Sequence, residues 1–155
     1  MHNDSLSDKV EIKAKIRENK STMGSTTVML IIIIACVILS GFFSATETAF
    51  SSINRVRLKN QAEKGDKRAE QVLRLAEDYD SLLSTILVGN NIVNIGCTSL
   101  ATILFVKLLG EEAGAGVSTL VTTVVVLIFG EISPKSIAKE SPEAFARFAA
   151  PVISG

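Results

Sequence analysis

The chain has no tryptophan, one tyrosine, one histidine, two cysteines and three prolines in 155 residues, and its 16 basic residues are matched by 16 acidic ones. Each scarcity excludes a class of function. The single histidine, His2, lies in a polar N-terminal stretch, so no set of imidazoles is available for zinc. Cys36 and Cys97 sit inside apolar runs, where free cysteine acts as a small packing residue rather than as half of a disulfide framework or a metal pair. Zero net charge and the near absence of Tyr and Trp remove both the electrostatic footprint and the stacking surface of a nucleic-acid binder. There is no His–Glu metalloprotease motif and no convincing nucleophile–base pair, so the chain is expected not to be an enzyme.

What the chain has in quantity is apolarity: 47% of its residues are hydrophobic. Three stretches without charge carry it, Ser21 to Thr46, Leu82 to Val106 and Ala113 to Gly130. At roughly 1.5 Å of rise per helical residue, each can reach across a hydrocarbon core of about 30 Å. The first is not a cleaved leader, since it follows a long polar segment and precedes two further spans. The expected fold is therefore all-α and integral to the membrane, with spans at about 27–52, 81–106 and 113–133.

Residues 1–24 read as a polar tail, loose or weakly helical. Between the first two spans, Asn54 to Asp80 carries seven of the 16 basic residues. There Ala69, Val72, Leu73 and Ala76 fall at the i, i+3, i+4, i+7 spacing of an amphipathic helix, which Gly65-Asp66 separates from an earlier helical piece. Juxtamembrane helices are thus expected at about 55–79 and, after the start signal Ser141-Pro142-Glu143, at about 141–153, with Phe145, Phe148, Ala149 and Val152 on one face. Six Lys/Arg lie on the side of the tail and ten on the other, which by the positive-inside rule places the N-terminus outside and the C-terminus in the cytoplasm of a cell (inner) membrane protein.

Within this apolar frame the polar residues are few and patterned. Ser40, Ser44, Glu47 and Thr48 share one face of span one; Asn90 and Asn94, after Gly89, share a face of span two, with Asn91 turned away. Span three ends in Gly130-Glu131-Ile132-Ser133-Pro134. Pro134 has no N–H for the Gly130 carbonyl and its ring clashes there, which predicts a kink that leaves that oxygen free. Unsatisfied polar groups in a bilayer cost several kcal/mol each, so the three polar faces should turn toward one another. The pooled groups are hydroxyl, amide, carboxylate and carbonyl oxygens, a donor set for hard cations such as Mg²⁺, Ca²⁺ or Na⁺. Plainer roles stand beside these: interhelical packing for Asn90 and Asn94, a bond to its own helix for Ser44, an ion pair of Glu47 with Arg55 or Arg57, and one of Glu131 with Lys135 that the kink would spoil. Glu111 and Glu112 read as a solvated turn.

The run Gly41-Phe42-Phe43-Ser44-Ala45-Thr46-Glu47-Thr48-Ala49, then Gly89-Asn90-Asn91-Ile92-Val93-Asn94, then Gly130-Glu131-Ile132-Ser133-Pro134-Lys135, resembles the transmembrane domain of the cyclin M / CorC family of magnesium transport proteins. The likeness covers about residues 27–155. It implies a three-span homodimer that binds one Mg²⁺ in each protomer, through positions that are here Ser44, Asn90, Asn94 and Glu131; Gly130 joins them on the proline argument above. It also implies magnesium efflux with Na⁺ as the proposed coupling ion, and a cytoplasmic pair of nucleotide-binding CBS domains, which is absent from this chain and leads to its reading as a truncated piece. Glu47, Thr48 and Pro134 are assigned to the ion pathway or its gate. The competing expectation is a membrane-anchored magnesium sensor or scaffold that regulates a cytoplasmic partner domain.

Overall fold

A computed structural model describes residues 4–154, and all elements within them are helical. In chain order they are α1 (Asp4–Ser52), α2 (Arg55–Glu63), α3 (Lys67–Glu77), α4 (Tyr79–Leu109), α5 (Glu111–Val125), a π-helical segment (Val126–Ile132), α6 (Ser133–Glu140) and α7 (Pro142–Ser154). Three stretches are long and apolar enough to cross a membrane: Met23–Ser52, Tyr79–Leu109 and Glu111–Glu140. The protein is an integral membrane protein built on three spans. The helix of span one also runs back through the polar tail to Asp4, where a loose or weakly helical segment was expected. Between Asp4 and Gly24 neither Gly nor Pro interrupts the chain, and four Lys, one Arg and two Glu are good helix formers, so helix formed in the span propagates outward.

Burial is distributed as a membrane solvent dictates. Mid-span aliphatics such as Ile38, Ile95 and Leu120 stand 67%, 68% and 70% exposed, forming the surface that lipid covers. The buried cluster lies instead where one end of the spans meets the short helices: Ala45, Ala49 and Phe50 of α1, Leu58 of α2, Ala69, Val72 and Ala76 of α3, Leu82 and Ile86 of α4, Ala138 of α6, and Ala146, Ala149 and Ala150 of α7. Small side chains dominate it, which lets the backbones approach closely. The α3 face follows the sequence pattern. In α7 the face is corrected: Ala146, Ala149 and Ala150 are buried, while Phe148 and Val152 are exposed. Phe148 turns outward while Phe145 stays half-buried against the cluster, and both join Phe42 in an aromatic group, with ring centroids 6.2 Å from Phe145 and 6.3 Å from Phe148.

Polar ties fix α7 beneath α2 and α3. Asp66 caps α3 by accepting from the N–H groups of Arg68 (3.0 Å) and Ala69 (3.1 Å), and its other oxygen lies 2.9 Å from Arg147 Nη1. Arg147 Nη2 donates to Gln61 Oε1 at 2.6 Å, and Arg57 pairs with Glu143 at 3.6 Å. The Ala69 amide bond, then the charge of Arg147, hold the Asp66 carboxyl below its ordinary value of 3.8.

Span three departs most from expectation. It does not break at Pro134; the helix continues to Glu140 through the π segment. Ser133 N–H reaches back five residues to the Ile128 carbonyl, and this wider turn gives room to the proline ring that an α-helical register would crowd. Residue 134 supplies no N–H to Phe129, its partner in the π register, or to Gly130, its partner in the α register. The Phe129 carbonyl also lies against span one: a Cβ on Gly41 would stand 3.2 Å from it and 3.0 Å from Pro134 Cγ.

Two stability predictions follow from these contacts. A Cβ on Gly114 would meet Val106 backbone atoms at 2.5 and 2.7 Å, whereas one on Gly116 meets nothing within 4 Å. Gly114→Ala should therefore destabilise the α4–α5 hairpin by about 1–3 kcal/mol, and Gly116→Ala should be neutral or stabilising; equal melting temperatures in detergent would contradict this packing. For Asp66, a folded value below the unfolded one means that its stabilisation is present above pH 3.8 and is lost as pH falls through the depressed value. Asp66→Asn should flatten the acid limb of thermal stability below about pH 4, measured by circular dichroism.

Candidate cation site between the spans

The polar face of α1 meets α4 and the π segment at a single hydrogen-bonded cluster. Ser40, fully buried, donates from Oγ to Asn90 Oδ1 at 3.0 Å. Asn94 Nδ2 also reaches Asn90 Oδ1, at 3.4 Å. Gly130 closes the third side: it is buried, and a Cβ there would lie 3.0 Å from Ser40 Oγ. Helical period explains the convergence, since Ser40 and Ser44 on one span and Asn90 and Asn94 on another each sit one turn apart, on the faces that meet. Asn91, about a quarter-turn from Asn90, is exposed.

Two oxygens in this region lack partners. Ser44 Oγ and Asn94 Oδ1 are buried and make no hydrogen bond; among the described residues the only other such side-chain atom is Arg147 Nε, in the juxtamembrane layer. Buried oxygens without partners are uncommon in folded proteins and point to a missing water or ion. Asn90 Oδ1 is, by contrast, occupied by two donors. Thr48 Oγ1 donates to the Ser44 carbonyl at 3.1 Å, which ties it to its own helix backbone.

The acids are arranged differently from the plain readings of the sequence. Glu47 pairs with Lys135 at 3.4 Å, and not with Arg55 or Arg57. Lys135 is thereby drawn away from Glu131, which makes no ion pair with any described residue. Glu131 is half-buried and directly follows Gly130, whose backbone packs against Ser40. No group of three or more His, Cys, Asp or Glu able to hold a metal occurs among the described residues, so a cation here would depend on amide, hydroxyl and carbonyl oxygens around one acid. The largest cavity described, about 720 Å³, lies elsewhere, lined by residues such as Val37, Phe42, Val125, Phe129 and Phe148. No carboxylate or amide lines it, and it offers a cation nothing.

Comparison with known proteins agrees with this architecture. Residues 31–155 match the family model for the cyclin M transmembrane N-terminal domain. The chain belongs to the cyclin M transmembrane-domain family. It is 39% identical over 126 residues to a UPF0053 protein of Haemophilus influenzae, covering 81% of this chain and 30% of that protein. It is 43% identical over 105 residues to the UPF0053 inner membrane protein YfjD of Escherichia coli, covering 68% of this chain and 24% of that protein. A putative DUF21 domain-containing chloroplastic protein of Arabidopsis thaliana is 36% identical over 118 residues, covering 76% of this chain and 17% of that protein. The chain thus spans under a third of the length of these curated relatives.

Within this cyclin M domain, sequence patterning named Asn90, Asn94, Gly130 and Ser44; the structure joins Asn90 to Asn94 and sets Gly130 against Ser40, and leaves Ser44 Oγ without a partner. Ser40 is the omission: it shares the polar face with Ser44, and its bond to Asn90 is the link between spans one and two. Phe129 is the other, concealed because the π register moves the proline's missing bond by one residue. Ser40→Ala should lower thermal stability in EDTA by about 1 kcal/mol, the net worth of a hydrogen bond. Ser44→Ala removes an unpartnered hydroxyl and should leave ion-free stability unchanged or raised; a loss as large as that of Ser40→Ala would show that Ser44 has a partner after all.

Proposed function

We propose that this domain moves Mg²⁺ across the membrane, as efflux coupled to Na⁺, through a cation site formed by Ser44, Asn90, Asn94, Gly130 and Glu131. It acts as a carrier, not as an enzyme. The carrying observation is the pair of buried, unpartnered oxygens, Ser44 Oγ and Asn94 Oδ1, each one helical turn from the Ser40–Asn90 bond; Glu131, free of any ion pair with the described residues, adds the charge. Membership of a membrane-domain family fits a transport-related role.

Magnesium favours about six oxygens, usually keeps several waters and uses one or two carboxylates. Glu131 supplies charge here, Asn94 Oδ1 and Ser44 Oγ supply neutral oxygens, and Asn90 Oδ1 joins when Ser40 or the Asn94 amide releases it. The Glu47–Lys135 pair lies beyond Pro134, where separation of the pair would accompany opening of the site. The π segment is the flexible element: its register is shifted by one residue relative to the flanking α-helix, and reversion to α would rotate Gly130 and Glu131 against span one. Two protomers, each holding one ion, with C-termini in the cytoplasm, complete the transport reading. In the alternative, a magnesium sensor, the same site binds its ion and only alters the juxtamembrane helices that lead toward a partner domain.

Purified protein should be stabilised by Mg²⁺ against heat, and Asn94→Ala should weaken the apparent affinity by about tenfold or more, as for the loss of a bond to a charged group. In liposomes, Glu131→Gln should abolish Mg²⁺ flux, and Pro134→Ala, which restores an N–H at the π–α junction, should slow it. An unchanged melting shift in Asn94→Ala would reduce that amide to packing. Magnesium stabilisation in a protein that gives no flux would favour the sensor.

A further inference from the structure

A second recognition feature lies outside the cation site, in the groove of about 390 Å³ between α2 and α3. Arg55, Val56 and Lys59 line it from α2, and Leu73, Ala76 and Glu77 from α3. These are the first residues of α2 and the last of α3. α1 ends at Ser52, just before Arg55, and α4 begins at Tyr79, just after Glu77. The groove is therefore walled by the two helix ends that connect directly to membrane spans, at the level of the bilayer surface.

Its charges are available. Arg55 and Lys59 are four residues apart on one helical face, exposed, and without a hydrogen bond or ion pair among the described residues. Neighbouring cations are engaged: Arg57 with Glu143, and Arg74 with Glu70. Glu77 is the opposing acid in the wall, so two cations face one carboxylate and a single positive charge is left over. Val56, 72% exposed between the two cations, presents an aliphatic group where a water-facing helix gains nothing from one.

We infer that this groove seats the phosphate headgroup of an anionic phospholipid from the adjoining leaflet. One phosphodiester carries the single negative charge that balances Arg55 and Lys59 against Glu77. The guanidinium offers paired donors to phosphate oxygens, and the lysine adds a point charge. Val56 and Leu73 then meet the glycerol and first acyl carbons, an apolar contact that a free phosphate would leave unfilled. The lipid would bridge the ends of α2 and α3, and so stabilise the layer that clamps α7. The inference is independent of the cation reading.

The test uses the purified chain in neutral detergent micelles doped with either phosphatidylglycerol or phosphatidylcholine, read by thermal unfolding. Phosphatidylglycerol should raise the melting temperature in a salt-sensitive manner and phosphatidylcholine should not. Arg55→Gln combined with Lys59→Gln should weaken the apparent lipid affinity by about tenfold or more. Lys64→Gln, a charge loss in the same connection but outside the groove, should leave it unchanged. Both substituted side chains are exposed, so helicity by circular dichroism should be retained. Equal protection by phosphatidylcholine, undiminished protection in the double variant, or an equal loss in Lys64→Gln would overturn the inference. Glycerol phosphate protecting as well as the lipid would also overturn it, by identifying a free-phosphate site.

Discussion

The lack of water to satisfy polar groups inside a bilayer is the constraint on which the bundle depends, and the hydrogen bond from Ser40 to Asn90 is where spans one and two meet it. In hydrocarbon, apolar side chains gain little by touching each other rather than lipid, so spans associate through close packing and through polar groups with nowhere else to go. Ser40 and Asn90 supply such a pair, and Gly130 allows the third span to close over it. Once those backbones are in place, Ser44 Oγ and Asn94 Oδ1, each one helical turn from that contact, remain buried without a partner. Positioning thus falls to Ser40, Asn90 and Gly130, and the unsatisfied oxygens belong to their neighbours one turn away on α1 and α4.

The distribution of packing supports the same division. The buried cluster of alanines and a few larger residues lies at the junction of the spans with α2, α3 and α7, while the mid-span surfaces are left to lipid. Asp66, Arg147 and Gln61 tie α7 to the α2–α3 connection. The polar cluster between the spans consequently stands on a firm base at one end. The π segment, which gives up α-helical register beside Gly130, is the part of span three best suited to change.

Much of this was legible in the chain because hydropathy and helical period act locally. The three spans, the break at Gly65-Asp66, the buried face of α3 and the inward turn of Asn90 and Asn94 each follow from residues one or two turns apart. The errors arose where a neighbour from another element decided the outcome. Phe148 and Val152 had the spacing of a buried face, but α7 approaches the spans so closely that only Ala146, Ala149 and Ala150 fit. Glu47 had arginines nearby in sequence, yet Lys135 reaches it from another span.

The amino-acid sequence by itself determined that the chain would be helical, that it would span a membrane three times, and that its few polar residues there would be oxygen donors. These properties depend on composition and on spacing within a single helix. The tertiary structure alone decided that Ser40 joins Asn90, that Lys135 turns from Glu131 to Glu47, and that Pro134 is absorbed by a π segment instead of a break. Each of those outcomes depends on which helix lies against which and at what distance, a choice among partners remote in sequence that no local periodicity encodes.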